Sequence, residues 1–530
     1  MKFPFLHLPT GTAGDAATPN EGSAAETPRA DCPRVAAALA TAASALLGAA
    51  VLVLGGCANP SGIAPHARLI DPARVGLSGA AAAPSTGTAA VAAAELHPDW
   101  WRSFGDTQLD ALVTRALADS PSLQVAVARQ ARAAAVVDSA QAADGPQVNG
   151  SADVARQRYS RNSIVPPPLA GSVRTLATLQ ASASWELDFF GRNRSAIEAA
   201  VGTRRAAEAE LQAARILIAS QVSRSYVQLA RLFEQRRVAE RTLSQRQEIL
   251  SLIDQRVRGG LDTNVELRQG QVALPETRLL IEELDEQIVL VRHALAALTA
   301  QAPDALASLT PAAASLRPMA LPATVPADLL GRRADINAAR WRIEAAAADF
   351  KVARAQFYPN INLTAFVGLT SIGLDRLLRS SSEQWGVGPA LRLPIFDNGR
   401  LRAGLSGRAA DVDAAIESYN GAVVEAVHDA ADQIASLQSL ARQQLQQADA
   451  EATAEDAYRL ATQRYKAGLS TYVTVLNAEA SLLNQRRLAA DLQARTLDSQ
   501  IVLARALGGG WQPSDGVAPA APTQPTSGVL

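Results

Sequence analysis

Two cysteines, five histidines and 51 carboxylates are the side chains in this 530-residue chain that could act as nucleophiles, metal ligands or acid–base groups. Their spacing supports none of those roles. His66, His97, His293 and His428 are scattered along the sequence. None stands in a His-Glu-x-x-His arrangement, and none accompanies a Gly-x-Ser-x-Gly elbow. No glycine-rich phosphate loop follows a strand-like run, so no nucleotide is implied. Two thiols cannot build a disulfide framework or a four-cysteine zinc site. The expectation is a protein with no metal, no cofactor and no enzymatic activity. The one residue whose surroundings specify a chemistry is Cys57.

Val35 to Leu54 is an uncharged, almost wholly apolar run, preceded by Arg29 and Arg34 and followed by Gly55-Gly56-Cys57. A positive flank, an apolar core and small residues before a cut site make a secretory signal. Leu54-Gly55-Gly56-Cys57 resembles the bacterial lipobox, whose cysteine is acylated and becomes the first residue of the mature protein. The alternative is a single transmembrane helix, since about 20 apolar residues just span a bilayer. Residues 1–56 are thus expected to be a signal peptide with an extended leader, and 57–94, rich in Ala, Pro, Gly and Ser, a flexible tether to lipid. Cleavage removes three basic and four acidic residues, leaving 47 of each. A neutral chain argues against a nucleic-acid partner.

Length alone predicts three or four domains, but self-similarity replaces that count. Gln255-Arg256 through Gly260-Leu261-Asp262-Thr263 to Val265 recurs as Gln463-Arg464 through Gly468-Leu469-Ser470-Thr471 to Val473, an offset of 208 that Leu274/Leu482 and Arg278/Arg486 keep. Leu187 and Phe190 recur as Leu393 and Phe396 at nearly the same offset. One plan is used twice, over 95–310 and 311–507, with a disordered tail expected over 508–530. The first copy reads as a helix over about 104–143 kinked at Ser120-Pro121, strands near 147–158 and 173–188, a proline-free helix over 193–257, a Gly259-Gly260 turn and a return helix over 263–300. The second reads as helix 328–357, strands 360–370 and 384–396, helix 400–465, a turn at Gly468 and helix 471–507. In the first long helix Val222, Tyr226, Leu229 and Phe233, then Leu243, Leu250 and Val257, trace a coiled-coil seam.

The strands alternate. Over 173–187 the odd positions are mostly apolar and the even ones include Thr178, Gln180, Ser182, Ser184 and Glu186; over 361–369 the odd positions Ile361 to Leu369 are again apolar. In an exported protein this suits a transmembrane β-barrel, although a half-exposed soluble sheet has the same pattern. Four strands cannot close a barrel, since about eight is the practical minimum, and an open edge in lipid leaves backbone groups unpaired. The chain must therefore oligomerise.

Trp100-Trp101-Arg102-Ser103-Phe104-Gly105-Asp106, Trp185 to Arg192, Arg332-Arg333-Ala334-Asp335-Ile336, Phe357-Tyr358-Pro359, Pro394 to Arg400 and the two Gly-Leu-x-Thr turns stand in one order behind the lipobox-like segment. Together they resemble the TolC-like, NodT-type outer-membrane efflux channel lipoproteins. The resemblance implies a mainly α fold with a transmembrane β-barrel: a homotrimer whose four strands per chain complete a 12-stranded barrel, above an α-barrel of long coiled-coil helices crossing the periplasm. It implies a passive conduit in the bacterial outer membrane, lipid-anchored through Cys57, docked on a periplasmic adaptor and through it on an inner-membrane pump. Gly260, Leu261, Thr263, Gly468, Leu469 and Thr471 would form the periplasmic tips and adaptor-docking surface, and Glu266, Thr474 and Asn477 the pore entrance. Relatives often carry acids at the last two positions, so cations are expected to bind this entrance weakly. The competing reading is a lipid-anchored periplasmic coiled-coil scaffold or adaptor without a pore of its own.

Overall fold

Glycine and proline set where the elements of this chain begin and end. The structure, a computed structural model, describes residues 59–75, 96–162, 164–319 and 331–511. Helix α1 (Thr107–Asp119) starts at Asp106, whose carboxylate accepts the backbone N–H groups of Gln108 and Leu109 at 2.8 and 3.4 Å. The kink expected at Ser120-Pro121 is a full break: Ser120 is extended, and Pro121, needing no N–H partner, opens helix α2 (Pro121–Asp144). Trp100–Phe104 forms its own 3-10 turn ahead of α1.

Strands β1 (Gln147–Arg158) and β2 (Val173–Leu187) follow, then helix α3 (Arg192–Arg258) of 67 residues, about 100 Å at 1.5 Å per residue. Gly191 at φ 73° precedes it, a left-handed turn that a side chain would strain. Helix α4 (Asn264–Leu298) returns alongside. The second copy runs through α5 (Ala334–Ala355), β3 (Asn360–Ile372), β4 (Glu383–Arg392), α6 (Arg400–Lys466) and α7 (Tyr472–Ala506). Gly399 at φ 83° precedes α6 as Gly191 precedes α3. Each end of α6 and α7 lies 208 residues after the matching end of α3 and α4, so the repeat is one of structure as well as sequence. Strand β4 stops short of the expected 396, at Arg392, because Arg392 already pairs with Asn360, the first residue of β3. Helix α5 starts six residues later than expected.

The four strands form one antiparallel sheet in the order β1-β2-β3-β4. Its register sorts the residues into two faces. Val148–Ala183–Ala365–Val387 and Gly150–Ala181–Val367–Trp385 are transverse rows on one face. Gln147–Ser184–Thr364–Gly388 and Ser151–Gln180–Gly368–Gln384 are rows on the other. Facing pairs sit on the same side of an antiparallel sheet, so the alternation of single strands becomes one continuous apolar face and one continuous polar face. Phe366 is an exception inside the polar face, and Leu176 opposite Ile372 is another at its outer end. The Phe366 ring lies over Gly386, where an added Cβ would come within 2.6 Å of it.

The main core surrounds the middle of α3, where the C-terminal halves of α4 and α7 reach it. Trp100, Trp101 and Phe104 pack there with Leu109, Val222, Tyr226, Leu229, Leu295 and Ile501. Val222, Tyr226 and Leu229 are fully buried, as the seam predicts, and Phe233 packs against them. Farther along α3 the buried line shifts by one residue: Thr242, Ile249 and Ile253 are buried, while Leu243, Leu250 and Val257 are half-buried. A straight helix of 3.6 residues per turn drifts off a seven-residue repeat, which accounts for the shift.

Two expected flexible segments are partly ordered. Residues 59–75, assigned to the tether, form an extended strap along α6. Backbone N–H groups of His66 and Ala67 donate to Asp413, that of Ile70 donates to Asn420 at 2.8 Å, and Asn420 returns a bond to the Arg68 carbonyl. Ile63 and Ile70 tuck into apolar patches around Leu401 and Val423. In the tail, Gly508–Trp511 folds back on the body, with left-handed glycines at 508, 509 and 510. The remainder of tether and tail lies outside the described residues.

Candidate functional site

Both helical hairpins end in the same turn. Gly260 (φ 70°) and Gly468 (φ 74°) reverse the chain, and the N–H groups of Leu261 and Leu469 close back on the carbonyls of Arg256 and Arg464 at 2.9 and 2.8 Å. This is the Schellman arrangement, which uses otherwise orphaned carbonyls at a helix end. It turns Leu261 and Leu469 outward, each 68% exposed. Two equivalent apolar side chains thus stand at the ends of the two hairpins.

The hairpins are fastened to each other. Tyr465 at the end of α6 donates its hydroxyl to Asp262 of the first turn at 2.5 Å. Arg256 grips the same carboxylate at 2.8 and 3.2 Å and lies over the Tyr465 ring. The guanidinium and the phenol hold the Asp262 carboxyl below the usual range, and burial pushes the Tyr465 phenol up. Ile249, Ile253, Tyr472 and Val475 pack beneath as a small core. About three helical turns along α3 from Arg256, Glu479 of α7 is buried against Arg246 of α3 at 3.1 Å. Arg246 also donates to the Ala273 carbonyl and the Thr277 hydroxyl of α4, both at 2.9 Å. Burial pushes the Glu479 carboxyl up and Arg246 opposes it. Sequence reading missed both clusters, because their partners lie more than 200 residues apart.

The expected entrance residues differ in what they do locally. Thr263 caps α4, and the Glu266 carboxylate accepts the Thr263 N–H at 3.0 Å and the Thr263 hydroxyl, a complete capping box. Those bonds hold the Glu266 carboxyl below the usual range. Thr474 is the equivalent third residue of α7. There Thr471 makes no such box; its hydroxyl lies 3.5 Å from that of Thr474. Thr474 and Asn477 are exposed. Cys57 lies outside the described residues.

The sequence motifs prove to be joints. Asp106 caps α1 and accepts the Tyr226 hydroxyl at 2.9 Å, tying the N-terminal aromatic turn to α3. Asp188 accepts the Arg194 N–H, and Asp397 accepts those of Gly399 and Leu401, so each long helix starts from a carboxylate at its positive end. Phe190 stacks on Tyr358 at 4.9 Å between the sheet and the helices. Arg333 binds Asp335 and the Ala506 carbonyl, joining α5 to the end of α7. Among the described residues no group of three His, Cys, Asp or Glu side chains converges, and no helix is long and apolar enough to cross a membrane.

Residues 112–301 and 325–509, one stretch in each repeat, match the outer membrane efflux protein family. The chain belongs to that family. A putative multidrug resistance outer membrane protein of Escherichia coli, MdtQ, is 35% identical over 421 residues, 78% of this chain and 88% of that protein. The fusaric acid resistance protein FusA of Burkholderia cepacia is 36% identical over 68% of each chain. Among solved structures, the outer membrane protein VceC of Vibrio cholerae has a TM-score of 0.74 at 37% identity, covering 78% of this chain and 99% of its own. The outer-membrane channel OprN superposes with a TM-score of 0.76 at 27% identity, over 85% of this chain. The family places the two-faced sheet in the outer membrane and the long helices below it as a tunnel.

Proposed function

We propose that three copies of this chain form the outer-membrane channel of a tripartite efflux system, a passive conduit for small molecules handed over by an inner-membrane pump through a periplasmic adaptor. The observation that carries this reading is the four-stranded sheet with one apolar face, one largely polar face and two edges that are unpaired among the described residues. An apolar outside and polar inside is what a barrel wall needs, and edges cannot be left open in hydrocarbon. Three sheets joined edge to edge give 12 strands and a lumen lined by Gln, Ser, Thr and Asn. A lipid-anchored scaffold has no use for such a wall.

The hairpin ends are the adaptor-docking surface in this reading. Gly260, Thr263, Gly468 and Thr471 shape the turns, and Leu261 and Leu469 supply the apolar contacts. Glu266, Thr474 and Asn477 line the entrance, where one capped acid per chain makes a weaker cation site than a full acidic ring. Cys57 carries the lipid. The strap supports this assignment, because its first described residue, Asn59, gives its carbonyl to Arg402 at the sheet end of α6, the height at which an anchor is needed. The channel has no chemistry of its own; energy comes from the pump.

Planar-bilayer conductance of the detergent-extracted protein, with its mass measured on the same sample, tests the reading. Discrete channels from a trimer are expected. A soluble monomer or dimer that never inserts would leave the scaffold.

A further inference from the structure

At the junction of sheet and helices, a cleft of about 440 Å3 opens between the ends of β2, β3 and β4 and the starts of α3 and α6. The two repeats furnish it differently. In the first, Glu186 at the end of β2 pairs with Arg192 at the start of α3 at 3.3 Å. In the second, the corresponding residues are Arg392 and Arg400, so the ion pair is replaced by two guanidiniums. Both are exposed and, among the described residues, have no side-chain partner. The nearby acids are committed: Asp188 and Asp397 accept backbone N–H groups at the two helix starts. Arg392 stands opposite Asn360, and Glu186 opposite Asn362, which puts the cluster on the polar face of the sheet.

We propose that Arg392 and Arg400 form an anion-binding ring inside the conduit, where the barrel meets the tunnel, that takes small organic carboxylates in transit. The inference rests on the trimeric conduit reading above. Three copies place six unpaired guanidiniums around one throat. A planar guanidinium fork matches a carboxylate in bidentate geometry, and with Arg192, Arg392 and Arg400 against Glu186 and Asp188 the cleft keeps one positive charge in excess per chain, which draws anions to it. The stacked Phe190 and Tyr358 line the same cleft and offer an apolar surface for the body of such an anion.

The test is current through the full-length trimer in planar bilayers, with citrate as the probe, added on the barrel side in divalent-free buffer. Wild-type channels are expected to show voltage-dependent block. The R392Q/R400Q double variant should raise the half-blocking concentration at least tenfold and move the zero-current potential in a KCl gradient towards cation preference. E186Q, which frees Arg192 and makes the first repeat resemble the second, should strengthen the block. Equal block of wild type and double variant overturns the proposal. So does loss of the trimer in R392Q, which would mean the arginine pairs with a neighbouring subunit instead. Wild-type protein that forms no channels defeats the conduit reading itself, a different result from channels that citrate does not block.

Discussion

Asp262 has two partners and little water, with side-chain exposures of 11% for it and 13% for Arg256. Removing one member of such a cluster strands the other, which costs more than the pair contributes net. Arg256→Gln is therefore expected to loosen the hairpin ends by about 1–3 kcal/mol, read as faster amide exchange in 249–265 and 461–476 with the exchange of the central core unchanged. The pH dependence follows from the lowered Asp262 carboxyl. A carboxyl whose folded value lies below its unfolded value stabilises fully above about pH 4, and the contribution is lost as pH falls through the lower folded value. Protection at the hairpin ends should accordingly collapse below about pH 4 in wild type, and Asp262→Asn should abolish that step. Leu261 and Leu469 predict a different result. Changing both to Asp should leave conductance and trimer mass intact while abolishing cross-linking to the adaptor and export in cells.

Among elements, the helix packing depends on a buried charge. Arg246 joins α3, α4 and α7 through Glu479, the Ala273 carbonyl and Thr277. Arg246→Ala leaves Glu479 buried without a counter-charge, a loss of about 3–5 kcal/mol. Without the arginine the folded carboxyl rises further above its unfolded value. The penalty is then greatest at neutral pH and shrinks as pH falls towards about 4 and the group protonates. Replacing both residues, as Arg246→Leu with Glu479→Leu, should recover most of the loss, and thermal unfolding at pH 7 and pH 5 separates these cases. The sheet makes its own prediction. Val367→Arg places a charge on the apolar face at a cost of about 2–4 kcal/mol and should deplete heat-resistant trimer. Gln180→Arg on the polar face should not.

At the scale of the molecule, the sequence alone was enough for the plan. Period-two and period-3.6 patterns, glycine breaks and the 208-residue offset are local or self-referring signals, so element order, the length of the long helices and the duplication could be read without coordinates. Ends were read less well where a partner or a cap decides them: β4 stops at Arg392 because β3 begins opposite it at Asn360, and the first helix divides at Ser120 because Pro121 opens a new one. What needed the tertiary structure was everything built from residues distant in the chain. Only strand register showed that four separate alternations share their faces. Only packing showed that residues 59–75 are a docked strap, that Glu266 is spent on a cap, and that Arg256, Asp262 and Tyr465 meet. The seam of α3 was right where the core is wide and one residue off where helix and heptad drift apart. Composition and spacing report how a segment pairs with itself and with solvent. Which buried charge meets which, and which arginine is left without a partner, depends on chain closure across more than 200 residues, and that no local pattern records.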